Sequence, residues 1–563
     1  VRYAWLILCG SVAAHAEIPG MVSHLNAPVP MRDGVVLAAN VFRPGGQGRF
    51  PTILVRTPYG KGVKASAHHE AFVRNGYAVV VEDVRGRYDS EGTFQPLTQE
   101  PRDGYDTLEW IARQVWSDGS IGMMGGSYLG IVQWKVAALN NPHLKAIFPV
   151  VSGYDDYRDR FYSPGGAMKV GHRLLWISQN MRPRDFRPPA FLEFVRTIPI
   201  RRSDLAATSV TNSMLQWALD HPEYDVFWRR MSIREQIGKV RVPVFSVGGW
   251  YDNFCQSDLE AFAATSKISK ANRTIVGPWP HNMSVKFKDV DFGPESSAPL
   301  RSLQIQWFDQ WLKGKPAAFA GAPPLRLFVM GANRWRDEWE WPLARARLAP
   351  LYLASGGNAN SLGGGGRLTR KPPRQSKPDS YLYNPADPAP TRGGAVCCNP
   401  NVFPWGPMDQ RGVEQRNDVL VYTSDPMPRD LEVTGPIEVI LYVSTTARDT
   451  DFTAKLVDVF PDGHARNLTD GILRLRYRNA LERAELATPG EVCRITIDAG
   501  VTSNVFLKGH AIRLEISSSN FPRFDRNPNT GRLVADETEF RTATQTVYHD
   551  RARPSQIVLP VVE

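Results

Sequence analysis

Gly122-Met123-Met124-Gly125-Gly126-Ser127-Tyr128-Leu129-Gly130 is the stretch whose reading decides how this chain folds. The residues before it, from Ile121 to Met124, have the character of a short buried strand, and those after it, from Tyr128 to Asn140, have helical periodicity. We read the glycine-flanked serine between them as the strand–turn–helix pattern G-x-S-x-G. In that pattern a sharp turn holds the serine in a strained backbone and presents its hydroxyl at the carboxyl edge of a parallel sheet. The glycines remove side chains that would block the helix from approaching. An ordinary glycine-rich turn is the alternative, and the position between strand and helix favours a nucleophile at Ser127.

Working outward, Pro51–Val55, Tyr77–Val81, Ile121–Met124 and Leu144–Phe148 read as strands, with helices at Ala67–Arg74, Gly104–Gln114 and Tyr128–Asn140 between them. Alternation of this kind implies a parallel sheet covered by helices. Beyond Ser152 a stretch rich in Arg, Trp and Pro shows helical periodicity and no clear strand. Val242–Val247 and Thr274–Val276 then resume the sheet pattern. From Leu325–Val329 onward the character is all-β. The organisation expected is an α/β-hydrolase core at residues 21–151 and 240–322, a helical cap inserted at 152–239, and a β-sandwich at 323–563.

A serine hydroxyl is a poor nucleophile at neutral pH, so a histidine must take its proton and an acid must orient that histidine. In this fold they follow in the order serine, acid, histidine. Asp252 ends Gly248-Gly249-Trp250-Tyr251-Asp252 directly after one strand, and His281 ends Gly277-Pro278-Trp279-Pro280-His281 directly after the next. Asp258, Asp289 and Asp291 compete for the acid's role, but Asp252 lies just past a strand. His68 and His69 precede the nucleophile, and His464, His510 and His549 fall in the all-β region. The oxyanion needs two fixed donors, and the backbone N–H of Tyr128 is the first. No HGGG-type loop supplies the second. The phenol of Tyr59 is a candidate, although a tyrosine packed only for its ring would look the same in sequence.

The net charge of +10 comes from 67 Lys and Arg spread without dense basic runs, which argues against nucleic-acid binding. No apolar run reaches the ~18 residues of a membrane span. Arg2 followed by an apolar stretch and Ala14-His15-Ala16 reads as an export signal at residues 1–16, cleaved after Ala16, and implies a periplasmic or secreted protein. Cys255, Cys397, Cys398 and Cys493 have no CxxC spacing, so no metal is implied. Adjacent Cys397 and Cys398 are awkward to join to each other. No cofactor is called for, and the sequence permits a homo-oligomer without fixing one.

The runs R-T-P-Y-G-K at 56–61, E-D-V-R-G-R-Y-D-S-E-G at 82–92, G-M-M-G-G-S-Y-L-G at 122–130, G-W-Y-D-N-F at 249–254 and G-P-W-P-H at 277–281 together resemble the CocE/NonD hydrolases. That family includes cocaine esterase, α-amino acid ester hydrolases, glutaryl acylases and X-Pro dipeptidyl-peptidases. The resemblance implies an α/β-hydrolase core, a helical cap and a C-terminal jelly-roll in the three regions above, a triad of Ser127, Asp252 and His281, and an oxyanion site made by the Tyr59 hydroxyl and the Tyr128 amide. Amino-ester hydrolases of the family carry acids two and three places beyond the triad aspartate, where this chain has Phe254 and Cys255. A free α-amino substrate is therefore disfavoured, unless Asp155 and Asp156 substitute. X-Pro dipeptidyl-peptidases carry a large additional N-terminal domain, whereas the first sheet strand read here begins at residue 51. Leu129, Trp134, Trp176 and Phe254 are expected to form an apolar acyl pocket. The resulting expectation is an esterase for a small acyl ester. The alternatives are an acylase or α-amino acid ester hydrolase acting on β-lactam side chains, an X-Pro dipeptidyl-peptidase, and a non-catalytic carbohydrate-binding relic.

Overall fold

The computed structural model describes residues 20–563, so the expected export segment lies outside the described residues. Ten strands form the first sheet: β1 (Met21–Pro30), β2 (Val36–Pro44), β3 (Phe50–Thr57), β4 (Ala78–Asp83), β5 (Ser117–Gly126), β6 (Leu144–Val150), β7 (Phe245–Tyr251), β8 (Arg273–Pro280), β9 (Leu325–Val329) and β10 (Arg334–Glu338). Their order is β1-β2-β4-β3-β5-β6-β7-β8-β9-β10. Every pairing from β4 across to β9 is parallel, while β1, β2 and β10 add antiparallel edges. All six residues of β4 are buried, as expected of a strand covered on both faces.

The helices α1 (Ala67–Arg74), α2 (Glu100–Ala112) and α3 (Tyr128–Ala137) connect the parallel strands. Ser66 caps α1 by accepting from the His69 N–H at 3.2 Å. Every residue of α3 except Leu129 is buried, so this helix runs through the interior.

The strand expected to open the all-β region belongs instead to the first sheet. β9 pairs in parallel with β8, Thr274 beside Leu325 and Val276 beside Leu327, and β10 turns back along it. Arg326 is exposed between buried Leu325 and Leu327, an alternation that a sandwich strand shows too, which is why Leu325-Arg326-Leu327 read as the latter.

Between β6 and β7 the chain forms helices and no named strand; α4 (Val170–Asn180) is the longest of them. Their core is aromatic. Tyr157 stacks on Tyr162 with centroids 4.6 Å apart, and Trp228 meets Tyr157 edge-on at 5.3 Å. The same hydrophobic cluster contains Leu54 and Ile147 of the sheet and Val132 of α3, so these helices pack on that layer directly.

The remaining chain forms an 11-stranded sheet from Arg347–Ala354 to Gln556–Val562, antiparallel except where Arg367 pairs with Thr423. It meets the first sheet beside the carboxyl end of β7, where the Tyr251 hydroxyl donates to the Asn467 carbonyl at 3.1 Å. Cys397 and Cys398 form a disulfide, the awkward join between neighbours whose state the sequence left open; the peptide between them is cis. Cys255 and Cys493 are free thiols. Among the described residues no helix is long and apolar enough to cross a membrane.

Candidate active site

Ser127 stands between the last residue of β5 and the first of α3 with φ 56° and ψ −124°, a conformation that a non-glycine residue adopts only when its surroundings enforce it. Its N–H donates to the Val150 carbonyl of β6 at 2.9 Å, which ties the turn to the sheet. Leu129 occupies the second position after the serine and Gly130 the third, so the motif is G-x-S-x-x-G and the G-x-S-x-G reading is corrected. The glycines serve packing as expected. A Cβ on Gly125 would lie 2.5 Å from the Leu129 Cβ, and one on Gly130 would lie 2.6 Å from the Ser152 Cβ.

Gly126 differs: its nearest neighbour to an added Cβ is the Val150 carbonyl oxygen at 3.5 Å, an ordinary contact. Gly125, at φ 140°, is also in a region that side chains avoid. Gly125→Ala should therefore cost about 2–4 kcal/mol of stability, while Gly126→Ala should cost under about 1 kcal/mol. Urea midpoints at equal slope measure both; equal losses would show that the elbow is not packed as described.

His281 follows β8 and Asp252 follows β7, and the parallel pairing of those strands brings both to the edge where the elbow stands. The His281 Nδ1 lies 2.6 Å from Asp252 Oδ2, and its Nε2 lies 2.9 Å from Ser127 Oγ. The ionised Asp252 can only accept at Nδ1, so that nitrogen carries the proton and Nε2 presents its lone pair to the serine. The other Asp252 oxygen accepts from the Phe254 N–H at 3.0 Å, which fixes the carboxylate plane. Asp258 is turned away, accepting from the Gly153 N–H at 2.9 Å, and burial pushes its carboxyl well up. Asp289 and Asp291 are exposed.

A second serine, histidine and aspartate come together at Ser376, His549 and Asp379, with Ser376 Oγ 2.6 Å from His549 Nδ1 and His549 Nε2 2.7 Å from Asp379 Oδ2. Here the serine hydroxyl is bound to both the N–H and the carbonyl of Ser355, and His549 and Asp379 are fully buried. No strained turn presents this serine, so the set is a hydrogen-bond network inside the β-rich region.

The Tyr128 N–H opens α3, where backbone donors have no intrahelical acceptor. Its phenol is committed elsewhere, donating to Glu100 at 2.7 Å and accepting from the Leu97 N–H at 3.0 Å. Glu100 in turn binds Arg56, which also binds Glu82, each at 2.6 Å. The first two motif runs thus hold the nucleophile turn from below. Tyr59 OH accepts from the Trp176 indole N–H at 3.0 Å, leaving its own proton to donate. Burial pushes the Tyr59 phenol up, with the Trp176 hydrogen bond and the nearby Arg173 charge opposing, so it stays protonated at neutral pH. Trp176 itself stacks on Tyr128 with planes 5° apart.

Ser127, Tyr59, Tyr128, Trp176 and Phe254 line one pocket, together with Leu97, Ile131, Arg160, His172, Arg173 and Met214. Trp176 and Phe254 are therefore placed as expected, and Leu129 and Trp134 are not. Leu129 packs over Gly125, and Trp134 is sealed in the core. Seven residues beyond Ser127, Trp134 lies on nearly the same side of α3 but about 10 Å down its axis. Asp155 and Asp156 are also unavailable. Asp156 binds Lys135 and Arg160, each at 2.9 Å, and Asp155 caps the turn at Asp156–Phe161. A larger cavity of about 70 Å³ has Asp252 in its wall but neither Ser127 nor His281, so it backs the acid and is no reaction chamber.

Fold and site together define an α/β serine hydrolase. Residues 33–283 match the family described as X-Pro dipeptidyl-peptidase (S15 family), and residues 317–558 match the X-Pro dipeptidyl-peptidase C-terminal non-catalytic domain. The chain is 42% identical over 566 residues to a cocaine esterase of Rhodococcus sp. (strain MB1 Bresler), covering 96% of this chain and 98% of that protein. A putative serine esterase of Mycobacterium bovis is 26% identical, covering 100% of this chain and 98% of its own length. A solved α-amino acid ester hydrolase superposes with a TM-score of 0.85 at 26% identity, covering 98% of each chain. The chain belongs to this family of serine hydrolases, the CocE/NonD hydrolases of cocaine-esterase type.

Proposed function

We propose that the protein hydrolyses small carboxylic esters through an acyl-enzyme formed on Ser127. The observation that carries this reading is the unbroken chain from Asp252 through His281 to Ser127, at 2.6 and 2.9 Å, opening on a pocket that also holds the Tyr59 hydroxyl. Ser127 Oγ attacks the acyl carbon while His281 Nε2 takes its proton, and the oxyanion is met by the Tyr128 N–H and the Tyr59 O–H. The imidazolium, held by Asp252, then protonates the departing alkoxide. Water repeats the sequence on the acyl-enzyme and frees the acid.

The surroundings support an ester without a free α-amino group. Phe254 and Cys255 occupy the places of the ammonium-binding acids, and Asp155 and Asp156 are already bound to other partners. The test is turnover of 4-nitrophenyl butyrate, 4-nitrophenyl benzoate and a glutaryl-amide chromogen. Ester hydrolysis outpacing amide hydrolysis supports the reading; turnover of the amide alone would make the enzyme an acylase.

Tyr59→Phe removes one oxyanion donor and little else, because the Trp176 indole loses only an acceptor. We expect kcat to fall about 10²–10³-fold with KM nearly unchanged. An unaffected kcat would remove the phenol from the oxyanion site.

A further inference from the structure

Arg173 is the one pocket residue whose charge the described structure leaves unanswered. It lies on α4, 6% exposed, in the wall of the pocket that holds Ser127, Trp176 and Phe254. Among the described residues no carboxylate comes within 4.0 Å of it; its Nη2 donates to His172 Nε2 at 2.7 Å, and its Nε has no partner. Its guanidinium lies over the Phe161 ring, 4.9 Å from the centroid.

Other buried arginines of this chain are matched. Arg160 has Asp156 at 2.9 Å, Arg474 has Asp451 and Asp525, and Arg513 has Glu414 at 2.6 Å. Arg526, without an acid, donates to the Arg196 and Pro385 carbonyls. A buried guanidinium left without an anion keeps its full desolvation penalty, which an anionic group entering the pocket would offset. Its neighbours do not provide that anion. His172 is neutral, pushed well below its ordinary value by burial and by the surrounding cations. Asp156 is engaged with Lys135 and Arg160, and Arg160 adds positive potential.

We propose that Arg173 binds a carboxylate carried by the substrate, so that the enzyme prefers anionic esters to neutral ones of the same size. The planar guanidinium suits a carboxylate, which can accept from Nε and a terminal nitrogen together. The inference rests on the esterase reading above and names the substrate class within it. The carboxylate belongs either to the acyl part, as in a half-ester of a dicarboxylic acid, or to the alcohol part.

Three substrates separate these cases: 4-nitrobenzyl hemiglutarate carries the charge on the acyl side, 4-(butyryloxymethyl)benzoate carries it on the alcohol side, and 4-nitrobenzyl butyrate is neutral. The wild-type enzyme should show a higher kcat/KM for one anionic ester than for the neutral one. Arg173→Met should lower that anionic-to-neutral ratio by about 30–1000-fold, chiefly through KM, since the contact exists in ground and transition states alike. Arg173→Lys should restore part of it. A wild-type enzyme that turns over the neutral ester and prefers neither anion overturns the proposal, as does a ratio unchanged in Arg173→Met. An equal fall for all three esters, with KM constant, would assign Arg173 to the oxyanion instead. If the wild type hydrolyses none of the three, the esterase reading fails first.

Discussion

Ser127→Ala should lower kcat for any ester by about 10⁴–10⁶-fold, with the thermal midpoint within a few degrees of wild type. The size follows from the position of the serine. Its hydroxyl is presented to the pocket by a strained turn, and its Oγ is the atom that His281 faces at 2.9 Å. Alanine keeps the Cβ and leaves the tie from the residue 127 N–H to the Val150 carbonyl in place, so the elbow should persist. What survives is the rate due to binding and to the oxyanion donors alone. Residual activity above a hundredth of wild type would mean that another group attacks.

Asp252→Asn should lower kcat by about 10⁴-fold at neutral pH. The asparagine oxygen can still accept from the Phe254 N–H, which places its NH₂ toward His281 Nδ1. An amide donor there makes Nδ1 the acceptor and moves the imidazole proton to Nε2, the nitrogen that must take the proton of Ser127. The geometry survives while the tautomer is wrong. Steady-state kinetics on a 4-nitrophenyl ester read the effect, and a loss under tenfold would assign the acid's role to another carboxylate.

Much of this site is legible in sequence because its parts sit directly beyond buried strands. The runs Val242–Val247 and Thr274–Val276, each continued by four residues of extended chain, place Asp252 and His281 at one sheet edge whatever the intervening chain does. The parallel core is legible for the same reason, since strands buried on both faces leave continuous apolar runs such as Tyr77–Val81. Legibility ends where position depends on packing between separate segments. Arg160, His172, Arg173 and Met214 reach the pocket from helices whose placement is set by the aromatic cluster around Tyr157 and Trp228. No spacing in the chain encodes that arrangement. Trp134 and Trp176 look equally apt as pocket aromatics, yet one faces the sheet core and the other donates to Tyr59. The Leu325–Val329 strand shows the same limit from the other side, because an apolar–polar–apolar run such as Leu325-Arg326-Leu327 reads alike in either sheet.

On this mechanism Ser127 becomes covalently acylated. A fluorophosphonate probe tests it without knowledge of the natural ester, since it reacts only with a serine activated by its histidine. Intact mass after incubation should rise by one phosphonyl group per chain, peptide mapping should locate it on Ser127, and Ser127→Ala should take up none. Labelling of a different serine, or no labelling of a folded protein, would contradict the account.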